Sequence, residues 1–325
     1  MATTKLTGFK SLQDLHDFFP TEQSCIDYLA SIRWPGGKVT CPYCGSEKVY
    51  TLKGKTKRWK CAASSKKGAV KCNRLFSVRI NTPFEDSNLP LKTWYVALFL
   101  ATNTSKGVSS ANLAKLVNIT QANAWHLIHR CREMMREDAP QLIVNDTEVD
   151  ECYIGGRGKN RPRSKRDNAR GRSMKHKTPV FGMLERGGRV VAKVVIDTKA
   201  RTIQPIMRQH IAIGTTVHTD EYLAYKGVEK TFRHLVVKHG KGEYVTYHPT
   251  GEYSSTNGME GYWSLLKKGL NAVYHSVSPF HLQQYVNEYS ARYNQRKQSN
   301  QERFDNALKQ ADGRTMPYNK LVAKK

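Results

Sequence analysis

Hydrophobic and polar positions follow three successive patterns along the chain. Residues 11–34 place apolar side chains at helical spacing and carry acids near the start, which predicts a short helical lead-in. Residues 87–138 repeat the helical spacing and predict three helices separated by short breaks. From residue 141 onward, short runs of β-branched and apolar residues predict strands. The pattern therefore divides the chain into a helical part and a later part that contains a sheet.

The later part has a definite predicted order of elements. A first strand covers residues 144–154, a hairpin closed by Gly187 and Gly188 follows, and a helix then leads to a strand that ends near Asp220. One more strand, TFRHLVV, comes after it. Strands in this order with a helical crossover predict a mixed α/β sheet in which the first strand and the strand ending at Asp220 are neighbours.

Three acidic residues stand out in this part. Asp150 and Asp220 end or closely follow predicted strands, and Glu260 opens a segment with helical spacing. A helical wheel places Asn257, Glu260 and Lys267 in one polar arc beside an apolar arc. Carboxylates placed this way can converge and hold Mg²⁺ against a phosphate backbone, because Mg²⁺ prefers oxygen ligands. The plainer alternative for Glu260 is a surface residue on an ordinary amphipathic helix.

The chain is strongly basic. It has 53 Lys and Arg against 27 Asp and Glu, a formal net charge of +26, and a pI of about 9.8. Such a chain attracts polyanions. No apolar run approaches the roughly 20 residues of a membrane-spanning helix, and no secretory leader opens the sequence. We therefore expect a nucleic-acid partner and no membrane, and the odd number of cysteines, seven, favours a reducing cytoplasm.

Four of these cysteines have the order of a zinc site. Cys41 and Cys44 flank a Pro-Tyr turn, a spacing that lets two thiolates bind one Zn²⁺. Cys61 and Cys72 can supply the second pair, although ten residues separate them instead of two. The alternative is that Cys61 or Cys72 is a buried free thiol. The other three cysteines lack paired spacing and are expected in the core or on the surface.

The three helices predicted over residues 87–138 form a pattern that is typical of a helix-turn-helix. Hydroxyl groups can cap the second and third of them: Ser109 or Ser110, and Thr120. In that arrangement the third helix presents Gln121 and Asn123 to a major groove, with Arg130 available for phosphates. An ordinary three-helix bundle is the alternative, and the net charge favours DNA.

A basic run separates the first two predicted strands. Residues 157–177 hold ten Lys or Arg and one acid, Asp167. Runs of this kind are usually solvated loops, but beside a carboxylate cluster such a run can clamp DNA phosphates. The candidate phosphate contacts are Arg161, Arg163, Lys165 and Arg166.

Several motifs together resemble bacterial insertion-sequence transposases of the DDE type with an N-terminal zinc ribbon, which are related to the eukaryotic Merlin elements. These motifs are CPYCG, CNRLFSVRINTPFEDSNLPLKTW, VDECYIGGRGKN, HTDEYLAY and TNGMEGYWSLLKKGL. The resemblance implies an RNase H-like catalytic domain in which Asp150, Asp220 and Glu260 bind two Mg²⁺ (or Mn²⁺) ions. Some relatives use Asn in the third position, so Asn257 is a second candidate there. Lys267 is then expected to contact the phosphate near the cut, and the wide Cys61 to Cys72 spacing departs from the usual second C-x-x-C.

The resemblance also implies a function. A transposase of this kind binds double-stranded DNA at terminal inverted repeats, cuts it and joins the ends to target DNA, as a homodimer or higher homo-oligomer beside the bacterial nucleoid. An RNase H-like nuclease or resolvase and a zinc-ribbon transcription factor are the alternatives. The expected domains are a helical lead-in with a zinc ribbon holding one Zn²⁺ (1–86), a helix-turn-helix (87–138), the catalytic domain (141–300) and a basic C-terminal tail (301–325).

Overall fold

A computed structural model describes most of the chain, and it contains two compact units. The described residues are 8–54, 56–63, 72–138, 141–156, 176–238, 244–248 and 251–322. The first unit comprises Met1–Arg136 with Lys297–Lys325, and the second comprises Glu137–Arg296. Among the described residues, no helix combines the length and the apolar character needed to cross a membrane.

The first unit begins with two helices and a small sheet. Helices α1 (Leu12–Phe18) and α2 (Glu22–Arg33) each begin at a capping box, in which a hydroxyl and the side chain three residues later each accept a backbone N–H. Three short antiparallel strands follow: β1 (Val49–Leu52), β2 (Arg58–Cys61) and β3 (Leu75–Phe76). The stacked rings of Trp59 and Phe76 form the buried side of this sheet.

The three helices predicted over residues 87–138 are α3 (Leu91–Asn103), α4 (Ser110–Val117) and α5 (Gln121–Met134). Ser109 caps α4 by accepting the Asn112 N–H, and Thr120 caps α5 by accepting the Asn123 N–H. Asn118 ends α4 with a φ of 53°. The short break between α4 and α5 therefore has local causes that are visible in the sequence.

The last residues also belong to the first unit. Residues 301–325, expected as a basic tail, instead lie largely in helices α9 (Asn300–Lys309) and α10 (Tyr318–Val322). Phe304 is fully buried, and its ring lies 5.2 Å from Phe9 and 5.1 Å from Tyr95 between centroids. The apolar positions of α9 recur at helical spacing, so the segment buries a stripe against the N-terminal helices in spite of its charge.

The second unit contains a mixed five-stranded sheet with the order β6-β5-β4-β7-β8. Its strands are β4 (Thr147–Ile154), β5 (Thr178–Glu185), β6 (Val190–Val194), β7 (Thr216–Thr219) and β8 (Arg233–Val236). Strands β4, β5 and β6 are antiparallel neighbours, whereas β7 pairs in parallel with both β4 and β8. This arrangement confirms the predicted mixed α/β sheet and the predicted neighbour of the first strand.

Both faces of this sheet are buried. Helix α6 (Ala200–His210) joins β6 to β7 and packs on one face, in a core that includes Val149 and Phe181. Helices α7 (Asn257–Gly269) and α8 (Leu282–Asn294) pack on the other, with Cys152 and Val180. A two-stranded ribbon, β9 (Thr246–Tyr247) and β10 (Tyr253–Ser254), precedes α7.

Candidate active site and cysteine cluster

Strand register brings Asp150 and Asp220 together. In the parallel pair of β4 and β7, Thr147 lies opposite Val217 and Glu148 opposite His218. The same register, continued two residues, sets Asp220 level with Asp150 on the neighbouring strand. Adjacent strands lie about 4.8 Å apart. The two aspartates therefore lie side by side on the neighbouring strands β4 and β7, as the sequence predicts.

Helix α7 supplies the third acid. Its apolar positions Met259, Trp263 and Leu266 are buried against the sheet, while Glu260 is exposed on the polar side. Asn257, the first residue of the helix, is exposed as well. The predicted division of this helix into a packing face and a polar face is therefore observed.

The charges of the three acids act on one another. Burial, together with the nearby carboxylates of Asp220 and Glu260, raises the pKa of Asp150 to about 6. Because like charges this close repel, a divalent cation among them would be stabilising. The oxygen donors of this set fit Mg²⁺ or Mn²⁺ better than softer ions.

Trp263 holds the Asp150 carboxylate. Its indole Nε1 donates a hydrogen bond of 2.9 Å to Asp150 Oδ2. Gly182 lies directly across from Asp150 on β5, and an added Cβ there would lie 2.7 Å from Trp263 Cζ2. Gly182 thus makes room for the indole. The sequence predicts Trp263 only as part of the apolar arc, because its contact with Asp150 depends on how α7 crosses the sheet.

The side chain of Glu151 lies on the opposite face of β4 from that of Asp150. It accepts a hydrogen bond of 2.5 Å from the buried hydroxyl of Tyr225, and burial raises its pKa to about 8. Tyr225 lies in the core on the α6 face, which Glu151 therefore shares. The alternation of side chains along β4 explains why Asp150 and Glu151, although adjacent in sequence, have different partners.

Lys267 is exposed on α7, two helical turns beyond Glu260. Burial raises the pKa of Cys152 to about 12, and the positive charge of Lys267 opposes this increase. The ammonium group of Lys267 is therefore near Cys152, which follows Asp150 by two residues on the same face of β4.

Four thiols form a compact cluster in the first unit. The Sγ atoms of Cys41, Cys44, Cys61 and Cys72 all lie within 4.8 Å of one another. Cys41 and Cys72 are 3.7 Å apart, and Cys44 and Cys61 are 3.6 Å apart. A tetrahedral zinc site with Zn–S bonds of about 2.3 Å requires S···S distances of about 3.8 Å. The geometry therefore fits a single Zn²⁺ and includes the distant Cys72.

The other cysteines are separate from this cluster. Cys25, Cys131 and Cys152 are buried elsewhere in the chain. Within the part of the chain that the structure describes, the four thiols are the one group of three or more His, Cys, Asp or Glu ligands close enough to share an ion.

The candidate DNA-binding residues have different environments. Gln121 and Asn123 are exposed in the first turn of α5. Arg130 is buried, and its guanidinium donates to the carbonyls of Met316 (3.0 Å) and Glu85 (2.6 Å), so its role in this structure is to tie segments of the first unit together rather than to face phosphates. The basic residues Arg161, Arg163, Lys165 and Arg166 lie outside the described residues.

Comparisons with known proteins show which domains the chain resembles. Residues 145–294 match the family described as ISXO2-like transposase domain, and residues 20–67 match the transposase zinc-ribbon domain. A protein of Halobacterium salinarum, described as an uncharacterized protein in the transposable element ISH50, is 28% identical over 288 residues, or 84% of this chain and 91% of that protein. No solved structure shows significant similarity to the chain.

The fold of the second unit is therefore that of a DDE transposase domain. The chain carries an ISXO2-like transposase domain behind a transposase zinc ribbon, and these are the parts of a DNA transposase. This confirms the resemblance found in the sequence, while the link to Merlin elements and a bacterial origin stay predictions. The zinc-ribbon match ends at residue 67 and does not include Cys72, which the structure places in the cysteine cluster.

Proposed function

We propose that this transposase binds the ends of its insertion element and catalyses cleavage and transfer of DNA strands with divalent metal. The main support is the position of Asp150, Asp220 and Glu260, whose mutual repulsion contributes to the raised pKa of Asp150. Carboxylates that repel one another in a basic chain are well suited to hold cations next to a phosphate backbone.

In this proposal the three acids hold two Mg²⁺ or Mn²⁺ ions. Such ions, when bound, activate the attacking oxygen and stabilise the departing oxygen of a phosphodiester. Trp263 keeps the Asp150 carboxylate oriented through its hydrogen bond. Lys267 is placed on the same helix as Glu260 to contact a DNA phosphate, and Asn257 lies one turn before Glu260 as a further oxygen donor.

The first unit would recognise DNA. Zn²⁺ in the four-cysteine site would stabilise the ribbon, because it would join a turn that precedes a very small sheet to residues in and after the second strand of that sheet. Gln121 and Asn123 would read bases from the start of α5. Four basic residues of the second unit, Arg161, Arg163, Lys165 and Arg166, would contact phosphates. We also expect the protein to act on terminal inverted repeats and target DNA as a homodimer or larger homo-oligomer.

The two alternative classes fit less well. A zinc-ribbon transcription factor would have no use for a transposase domain that covers residues 145–294. A simple nuclease or resolvase shares the acids, but the transposase zinc ribbon in front of them favours an enzyme directed to element ends.

The role of the acids can be tested with a linear DNA duplex. This duplex carries the sequences that flank the coding region in the insertion element. Asp150→Asn and Asp220→Asn are each expected to reduce Mg²⁺-dependent cutting at least about a hundredfold and to leave DNA binding intact or tighter, because the substitution removes a metal ligand and also lessens repulsion of phosphate. Strand products on denaturing gels and filter binding on the same duplex separate the two effects.

The matched control is Glu221→Gln, which removes an exposed negative charge next to Asp220. It is expected to cut at the wild-type rate. Substantial cutting by either aspartate variant, or loss of cutting in Glu221→Gln alone, would contradict the proposed assignment of ligands.

A further inference from the structure

A buried carboxylate outside the acidic triad binds the start of α7. Glu148 lies on β4, two residues before Asp150, and is only 4% exposed. Its Oε2 accepts the backbone N–H of Met259 at 3.0 Å. The residue that precedes α7, Thr256, makes no side-chain capping bond. A carboxylate from the sheet therefore caps the helix that carries Glu260, at the end where the helix dipole favours negative charge.

Arg186 completes this connection. Its Nε donates to Glu148 Oε1 at 3.2 Å, and its terminal nitrogen donates to the carbonyl and hydroxyl oxygens of Ser255, each at 3.2 Å. Its guanidinium also lies 4.8 Å from the centroid of the Tyr253 ring. The buried charge of Glu148 is thus paired, and the pair also holds the residues through which the chain enters α7.

Gly258 provides the space for this contact. A Cβ at Gly258 would lie 2.8 Å from Glu148 Oε2 and 2.6 Å from Leu184 Cδ2. Any larger residue would therefore displace the carboxylate from the helix. Gly261, in the next turn of the same helix, would place its Cβ in open space.

We propose that Glu148 is a positioning residue, which fixes the start of α7 on β4 so that Glu260 is held at the correct distance from Asp150. Glu148 and Asp150 share a face of one strand, and Met259, which receives the capping bond, is adjacent to Glu260. Two of the three acids are thereby connected through a single side chain and one backbone bond. The inference rests on the proposed function, since it assigns Glu148 to the geometry of the metal-binding acids.

Binding of Mn²⁺ alone tests this role, because it requires neither DNA nor catalysis. Titrations of zinc-loaded protein, followed by the electron paramagnetic resonance signal of free Mn²⁺, give the number of ions and their affinity. Glu148→Gln keeps the size and one acceptor oxygen but loses the charge, and Gly258→Ala moves the carboxylate away from the helix. Each variant is expected to bind Mn²⁺ about tenfold or more weakly than wild type, and to cut DNA correspondingly less at limiting Mn²⁺.

Gly261→Ala is the matched control, because it changes the same residue type in the same helix without a steric conflict. It is expected to bind Mn²⁺ as wild type does. Thermal unfolding of all variants shows whether the second unit remains folded at the temperature of the titration, and if Glu148→Gln does not, Gly258→Ala alone decides the question.

The outcomes separate this inference from the proposed function. If Asp150→Asn binds Mn²⁺ as well as wild type, the acids are not the metal ligands and the proposed function fails. If Asp150→Asn loses Mn²⁺ while folded Glu148→Gln and Gly258→Ala keep wild-type affinity and only unfold at lower temperature, Glu148 is purely structural and the positioning role is overturned.

Discussion

At the scale of single residues, burial on the central strands changes the protonation of side chains near the acids. His218 lies on β7, two residues before Asp220, and is 1% exposed. Its Nε2 lies 3.5 Å from Asp146 Oδ2. Burial lowers the pKa of His218 to about 4, the charge of Arg186 acts in the same direction, and Asp146 opposes it. The folded protein therefore holds this imidazole neutral.

This lowered pKa predicts a loss of stability in acid. The unfolded chain binds the His218 proton with a pKa of about 6.5, whereas the folded chain binds it only near pH 4. Stability that is complete above pH 6.5 is therefore lost as the pH falls from 6.5 towards 4. His218→Gln removes this titration, so the decrease in Tm between pH 7 and pH 5 is expected to be several degrees smaller in the variant.

The control for this measurement is His275→Asn. His275 is exposed and has a φ of 58°, a conformation that Asn tolerates. We expect it to show the same decrease in Tm as wild type. An equal decrease in His218→Gln would mean that other groups cause the acid sensitivity.

Residue patterns in the sequence locate the acids but not their partners. Asp150, Asp220 and Glu260 can be selected because each follows or opens a recognisable apolar pattern. Trp263 and Glu148 cannot be assigned in the same way. The Trp263 indole contacts Asp150, and the Glu148 carboxylate contacts α7, only after segments more than a hundred residues apart in sequence have packed together. The alternation of β4 does place Glu148 on the face of Asp150, and this is the signal that could have identified it.

At the scale of elements, local signals were sufficient wherever a segment has a cap or an alternating pattern. The starts of α4 and α5 follow from Ser109 and Thr120, and the hairpin of β5 and β6 follows from two glycines, of which Gly187 has a φ of 72°. Helix α9 shows where local sequence signals are insufficient. Its apolar stripe is short and its charges are many, so only its partners Phe9 and Tyr95 show that it packs.

The cysteine cluster is the element whose stability depends most on an ion. The strands β1, β2 and β3 are two to four residues long and cannot bury a sufficient core. Cys41→Ser is therefore expected to release the single Zn²⁺ and to unfold the ribbon, while the second unit keeps its own melting transition. Elemental analysis and limited proteolysis measure the two effects.

The controls for this prediction come from the other cysteines. Cys131→Ala removes a buried thiol on α5 that lies outside the cluster, and it is expected to retain one Zn²⁺ per chain. Protein purified without chelator that contains no zinc would contradict the assignment. Full zinc content in Cys72→Ser would show that Cys72 is not a zinc ligand, and the thiols at 41, 44 and 61 would remain as the candidate ligands.

At the scale of the whole molecule, a chain with an excess of 26 positive charges has to bind DNA and also to distinguish one DNA sequence from another. Contacts with phosphates raise affinity for any DNA and weaken as salt increases, whereas contacts with base edges distinguish one sequence from another. The two proposed DNA-binding regions differ in this respect. Gln121 and Asn123 carry amides that can pair with adenine, whereas the run of residues 157–177 holds ten Lys or Arg and a single acid.

Substitutions in the two regions are therefore expected to change DNA binding in different ways. Gln121→Ala combined with Asn123→Ala is expected to reduce the preference for element ends by about 1–3 kcal/mol per lost base contact and to leave the salt dependence unchanged. Neutralising Arg161, Arg163, Lys165 and Arg166 is expected to weaken binding to all DNA alike and to flatten the salt dependence. Binding titrations on end-containing and scrambled duplexes at several salt concentrations measure both quantities, and each variant serves as the control for the other. If the helix variant lost affinity equally for both duplexes, α5 would be a nonspecific clamp, and recognition of the ends would have to lie in the zinc ribbon.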